Sequence, residues 1–332
     1  MNLKNIKRIS VLLLIFALAL PLAGQVAEAK PTKIVVSEFR GLNYAPVHIA
    51  EVLGFFAEEN LDVEFAVYGD GPIAFQGMHA GDSQFCMLSV EPVFRAQEQG
   101  LESSIIIALD TTRTYGFAGA KHITDPSQLK DKVVFAGAPG SAPFSFIWSI
   151  LENAGLDPEN DVTFAQMQYG ASIAALERGT IDAAYMDHAN KPKFLAAGAN
   201  ILIDGADVET KQKVFGSEKF EGSIITATKK FVDENPEIVQ AFINAVMKGI
   251  DWVNSHSDEE LVEILLPYHD GSTKADLLER LELVRFSRTP DGRISREGFD
   301  AMERFSIKTG VLNGTIGYDS IIDMRFVEEA HK

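Results

Sequence analysis

The sequence predicts an α/β protein of two lobes, each built on a β-α-β-α-β unit, with a helical C-terminal segment packed on the first lobe. Three observations carry this. The unit occurs twice at a shift of 99 residues: Lys33-Ile-Val-Val36 matches Lys132-Val-Val-Phe135, and Val63 matches Val162. Its strands are short apolar or β-branched runs bounded by turn residues, which is how buried parallel strands read. Beyond Asn235 the pattern changes to a helical period.

The chain opens differently from the rest. Lys4, Lys7 and Arg8 precede an unbroken apolar run of ten residues, Val11 to Leu20, then Pro21 and Ala27-Glu28-Ala29. That is the three-part pattern of a secretory signal peptide. Ten residues are too few to span a bilayer, which takes about 20. Cleavage is expected after Ala29, and Lys30 stands where a lipid anchor would need Cys. The leader takes three bases and one acid with it, so the net charge of −17 becomes −19.

The first unit begins with the strand at Lys33–Val36. The loop Phe39–Tyr44 leads into a helix through Pro46, Ile49, Val52 and Leu53. The strand Val63–Val67, a turn at Gly69-Asp70-Gly71, a short helix ending near Gly81 and the strand Gln84–Leu88 complete it. In the second unit the loop Ala138–Ala142 enters a helix at Pro143, a favoured first helical position. Gly155 ends that helix, Val162–Ala165 and Ala183–Met186 are strands, and Gly179 matches Gly81 at a shift of 98. In the tail, Ser223–Ala227 reads as a strand. Asn235-Pro236 opens a helix with the stripe Val239, Phe242, Ile243, Val246, Ile250 and Val253. Ser257 and Glu260 make a capping-box pattern. Further helices are expected over Ala275–Phe286 and Ser295–Thr309.

Ligands of open α/β sheets bind beyond the carboxyl ends of the strands. Those ends are the loops 39–44, 69–72 and 89–92 in one unit and 138–143, 168–171 and 187–191 in the other. If the lobes face each other, these loops line one cleft, and a domain interface is a favoured place for a pocket. Arg40 is the only basic residue in the first three loops: it either anchors a carboxylate, sulfonate or phosphate or is a solvated surface side chain. Arg113, near the crossing between lobes, is a second basic candidate. Gly140-Ser141-Ala142-Pro143 either turns free N–H groups to a ligand or is an ordinary turn capped by Ser141. Glu91 either accepts hydrogen bonds from an amine or caps the helix at Pro92. Asp70 and Asp187 bring further acid to the cleft. Tyr44 and Tyr169, with polar tips beside glycines, are stacking candidates.

The pattern Gly69-x-Gly71-x-x-Ala74 is a poor dinucleotide fingerprint, because it follows the second strand and holds Asp70, which repels a pyrophosphate. Asp187-His188 has no nucleophile at a triad-like position, so a hydrogen bond to ligand or backbone is expected there. The seven His have no metal-ligand spacing, and the single Cys86 cannot make a Cys-rich site. With 47 acidic against 30 basic side chains, nucleic acid is not an expected partner. No catalytic residue, metal or cofactor is expected.

The segments Tyr44-Ala-Pro-Val-His-Ile-Ala50 and Leu53-Gly-Phe-Phe-Ala-Glu-Glu-Asn-Leu-Asp-Val63 resemble the opening signature of periplasmic solute-binding proteins of ABC importers. The class resembled is the one that binds nitrate, taurine, alkanesulfonates and thiamine-precursor pyrimidines. Leu129–Val133, Pro139-Gly-Ser141, Gly179-x-Ile-Asp-Ala183 and Asn235-Pro-Glu237 match in the same order, across essentially the whole mature chain. The resemblance implies a type II periplasmic-binding-protein fold, with lobe one at 33–113 plus 222–332 and lobe two at 114–221. It implies a monomer that closes on a small molecule by hinge motion and delivers it to an ABC permease in the inner membrane. Contacts are implied for the loop holding Phe39, Arg40, Asn43 and Tyr44, for Gly69, Asp70 and Gly71, for Glu91, for Gly140, Ser141 and Ala142, and for Asp187 and His188. Sulfonate binders commonly carry a second hydroxyl where this chain has Ala142, which counts against a sulfonate anion, and the mixed charge and aromatics of the cleft favour a planar nitrogen heterocycle or small aromatic anion over nitrate. Eukaryotic relatives are pyrimidine synthases with a run of cysteines and histidines, a motif this chain lacks. An enzyme of the same fold, or a binding subunit of another transporter or sensor, is the alternative.

Overall fold

In the computed structural model the twin repeats become two five-stranded sheets. The structure describes residues 30–38, 41–269 and 271–332. The leader at 1–29 with its cleavage site, and the candidates Phe39 and Arg40, lie outside the described residues.

The first sheet starts with β1 (Thr32–Glu38), followed by α1 (Ala45–Val52), α2 (Phe55–Glu58), β2 (Leu61–Val67), α3 (Gly71–Ala80), β3 (Phe85–Ser89), α4 (Val90–Glu98) and β4 (Ser103–Ala108). The chain then passes to the second sheet through β5 (Tyr115–Gly119). There follow β6 (Lys132–Phe135), α5 (Ala142–Asn153), β7 (Val162–Phe164), α6 (Ser172–Glu177), β8 (Ala183–Asp187), α7 (Lys191–Ala196), β9 (Asn200–Asp204) and α8 (Val208–Phe215). It returns with β10 (Ser223–Thr228). The tail adds α9 (Lys229–Glu234), α10 (Pro236–Ser255), α11 (Asp258–Leu265), α12 (Lys274–Val284), α13 (Arg296–Lys308) and α14 (Arg325–Ala330).

Strand orders are β2-β1-β3-β10-β4 and β7-β6-β8-β5-β9. In each sheet three parallel strands come from one repeat, and the fourth strand is antiparallel and arrives from the other side of a crossing. The duplication is preserved residue by residue at the centre. Val36 pairs with Phe85, and 99 residues on Phe135 pairs with Ala184. At the sheet edge it slips by one: Lys33 pairs with Asp62, but Lys132 pairs with Val162. The turn Asp157–Asp161, held by Asp157 and Asp161 side chains on backbone N–H groups, lengthens the entry to β7 and permits that slip.

The cores follow from the strand composition. One apolar cluster holds Ile34, Val36, Phe85 and Met87 against Phe242, Ile243 and Val246 of α10. A second is continuous across both sheets, from Leu88, Phe94 and Phe299 to Phe117, Phe146 and Phe215. Among the described residues no helix is long and apolar enough to cross a membrane.

Candidate functional site

The carboxyl ends of the parallel strands of both sheets converge on one partly open recess. From the first sheet come Gly41–Tyr44 after β1, Gly71 and Pro72 at the start of α3, and Ser89 and Pro92 at the end of β3. From the second come Ser141–Pro143 at the start of α5, Tyr169 after β7, and Asp187 ending β8. The antiparallel strands add Tyr115 and Ser223. Of the residues singled out in the sequence, the recess brings together Asn43, Tyr44, Gly71, Ser141, Ala142, Tyr169 and Asp187.

Four tyrosines dominate the lining: Tyr44, Tyr115, Tyr169 and Tyr185. Burial pushes the hydroxyls of Tyr44, Tyr115 and Tyr185 well up, and that of Tyr169 up to about 12. All four are therefore neutral hydroxyls at physiological pH, each able to donate and accept. Their rings meet edge to face, Tyr115 on Tyr185 at 5.1 Å and Tyr169 on Tyr185 at 5.8 Å. Tyr169 tucks against the turn before α5, where Gly137 has φ +84° and a Cβ would stand 2.3 Å from its hydroxyl. Only glycine suits that position on both counts.

Asp187 is the acid of the recess. Burial raises its pKa, while the N–H of Ala189, bonded to Oδ1 at 2.9 Å, and the nearby Arg280 pull it down. Just behind the lining lies Asp110, whose carboxylate accepts from the Ser223 N–H at 3.0 Å and faces Asn43 Nδ2 at 3.4 Å. Burial pushes Asp110 up to about 7 against the pull of Arg113 and Ser223.

No lysine, arginine or histidine lines this recess among the described residues. Arg113 is 1% exposed and lies behind it, its Nη2 2.8 Å from both oxygens of Glu91. Its Nη1 donates to Tyr115 Oη at 2.7 Å and Ser89 Oγ at 3.1 Å. Gly222 makes room for it: a Cβ there would meet Nη2 at 2.4 Å. Glu91 therefore does not line the recess: its carboxylate takes its own N–H in the first turn of α4 and holds Arg113, which in turn holds the Tyr115 hydroxyl in place.

Four other residues singled out in the sequence also lie away from the lining. Asp70 caps α3, its Oδ1 accepting the Ile73 N–H at 3.0 Å. Gly69 faces Gln168 of the opposite loop, and Gly140 faces Arg95 on the outer side. His188 turns to Asp204, Nδ1 lying 2.8 Å from Oδ1. The helix entrance at Ser141 is a capped turn. Ser141 Oγ accepts the Phe144 N–H at 3.4 Å, the Ser145 N–H bonds Ser141 O at 3.2 Å, and Pro143 has no N–H.

Sequence reasoning missed Tyr185, Ser223 and Asp110, while Ser89 lies in a loop already expected to line the cleft. Tyr185 was within reach, since it shares a strand face with Asp187 at a spacing of two. Ser223 meets Ser89 only through antiparallel pairing of β10 with β3, which no local motif announces. Among the described residues no group of three His, Cys, Asp or Glu is placed to hold a metal ion.

The NMT1/THI5-like family model matches residues 42–260. YtlA of Bacillus subtilis (strain 168) is 24% identical over 93% of this chain and 92% of its own length. The formylaminopyrimidine-binding protein of Halalkalibacterium halodurans is 24% identical over 80% of each. A solved structure from Bordetella bronchiseptica RB50 superposes with a TM-score of 0.80 at 23% identity, covering 91% of this chain and 98% of that one. The alkanesulfonate-binding protein SsuA of Xanthomonas axonopodis pv. citri, solved with MOPS, does so at 0.68 and 14%, covering 86% and 95%. Together with the two-sheet fold and its recess, these matches place the chain in the NMT1/THI5-like family, among the solute-binding proteins of ABC importers.

Proposed function

We propose that this protein captures a small planar nitrogen heterocycle in the recess between the two sheets and delivers it to an ABC permease. The observation that carries the reading is the lining itself: four neutral tyrosines around one half-buried carboxylate, Asp187, with no base among the described lining residues. Aromatic faces suit a flat ring, and Asp187 accepts a ring N–H or amine, as the hydroxyls of Ser89, Ser141 and Ser223 do more weakly. Closure of lobe 33–113 plus 222–332 on lobe 114–221 would shut the ring from water. The periplasm, reached after removal of the leader, is where such a carrier works.

A small sulfonate is the second reading, and it depends on Arg40. The helix entrance at Ala142 gives an anion fewer N–H groups than an open helix end, because Ser141 Oγ takes that of Phe144 and Pro143 has none. Calorimetric titration of the purified mature protein with aminopyrimidines and alkanesulfonates separates the two. Aminopyrimidine binding that is lost in Asp187→Asn and kept in Arg40→Ala supports the heterocycle. The reverse pattern overturns it, and turnover of the bound ring would overturn the carrier role.

A further inference from the structure

The tyrosine recess does not end at Asp187. A second hollow, open to solvent, shares Tyr169, Tyr185 and Asp187 with it and runs on toward α7 and α12. Its chemistry is different. Lys193 of α7 and Arg280 of α12 line it, and both lean on the one carboxylate of Asp276. Lys193 Nζ is 2.9 Å from Asp276 Oδ1. Arg280 has only a 3.9 Å approach to Oδ2 and a 3.3 Å bond from Nη1 to Ser272 Oγ. Its buried Nε–H has no hydrogen-bond partner among the described residues. A guanidinium donates five N–H bonds, so most of Arg280's capacity is unused at the wall of a hollow joined to the ligand recess.

We infer that the second hollow is a subsite for an oxyanion carried on an arm of the ligand, which rests on the heterocycle reading above. The ring lies among the tyrosines and Asp187 marks the waist. The arm ends in a carboxylate or phosphate that takes Arg280 and Lys193 away from their shared partner. Arg280 and Lys193 share the carboxylate of Asp276, and Arg280 also acts on Asp187; an oxyanion on the arm would supply the acceptor that the Arg280 Nε–H lacks among the described residues. Arg280 is a specificity residue on this view, since it selects rings by their substituent without touching the ring.

The test uses three probes on the mature protein: a bare 4-aminopyrimidine, the same ring with a short carboxylate arm, and the ring with the matching carboxamide arm. A phosphate-ended arm is run beside them to separate the two oxyanions. The carboxylate probe should bind at least tenfold tighter than the carboxamide, about 1.4 kcal/mol, and the gap should narrow with added salt. Arg280→Gln and Lys193→Gln should each remove the gap, and Lys193→Gln should leave the bare ring's affinity within twofold, with an unchanged melting curve for the free protein. Equal binding of carboxylate and carboxamide, or a gap that survives both substitutions, overturns the subsite and leaves the heterocycle reading intact. If no ring binds at all, the heterocycle reading fails and the subsite with it.

Discussion

A buried arginine at 1% exposure needs its charge met nearby, and here its Nη groups are met while Nε has no hydrogen-bond partner among the described residues. Glu91 supplies the counter-charge, Tyr115 and Ser89 take Nη1, and the rings of Tyr115 and Phe220 lie 4.9 Å from its Cζ. Removing one partner strands the other. Arg113→Met should cost about 3–5 kcal/mol in urea unfolding, and Arg113→Met with Glu91→Leu should recover most of it. Asp110 makes a pH prediction. Its folded pKa of about 7 lies above the usual carboxylate value. Between about pH 4 and 7 the folded protein therefore keeps a proton that the unfolded chain has released. Its contribution favours folding at the acid end of that window and fades as pH rises to about 7. Asp110→Asn should raise the melting temperature at pH 8 and change it little at pH 4. Gly137→Ala should displace Tyr169, weakening ligand binding at least tenfold by calorimetry, because φ +84° and the 2.3 Å approach both oppose a methyl group. At this scale the sequence was only half legible. Arg113 and Glu91 stood out as separate candidates, and nothing at a separation of 22 residues announces that they pair.

Elements were the most legible level, since caps and periods are local. The stripe of α10 reads correctly: Val239, Phe242, Ile243, Val246, Ile250 and Val253 are all buried. The Ser257–Glu260 capping box forms with both of its bonds, at 2.9 and 3.3 Å. Ser257→Ala should cost about 1 kcal/mol in thermal unfolding. Phe242 stacks on Phe85 at 4.0 Å and on Phe56 at 5.2 Å, so α10 is pinned to the first sheet by aromatic faces. Phe242→Ala should cost about 3–5 kcal/mol in the same assay. The elements' partners were less visible than their ends. Strand β10 reads as an ordinary apolar run and β5 was not read as a strand at all, and their antiparallel insertion beside β3 and β8 depends on where the chain crosses, which is a tertiary matter.

The whole molecule was legible through its duplication. Repeat spacing predicted two parallel units, and the central registers Val36 with Phe85 and Phe135 with Ala184 keep it. The seam between the sheets was not legible. Behind the recess an aromatic run, Phe146 to Phe215 to Phe305, joins α5, α8 and α13 with ring centroids 5.8 and 5.1 Å apart. Seams that are large and apolar restrain relative motion. Phe215→Ala should speed hydrogen exchange in Val208–Phe215 and leave Ile34–Val36 protected, which would locate the restraint at the seam. The swapped strands also bear on how the chain is made. Because β10 sits between β3 and β4, a ribosome must complete residue 228 before the first sheet can close. Until then β3 and β4 present raw edges, the kind of surface that pairs with other chains or recruits a holdase. The strand that opens the site with Ser223 is thus also the late-arriving bolt of the first sheet. A nascent chain halted before it should stay open to proteolysis however much of the second sheet has formed.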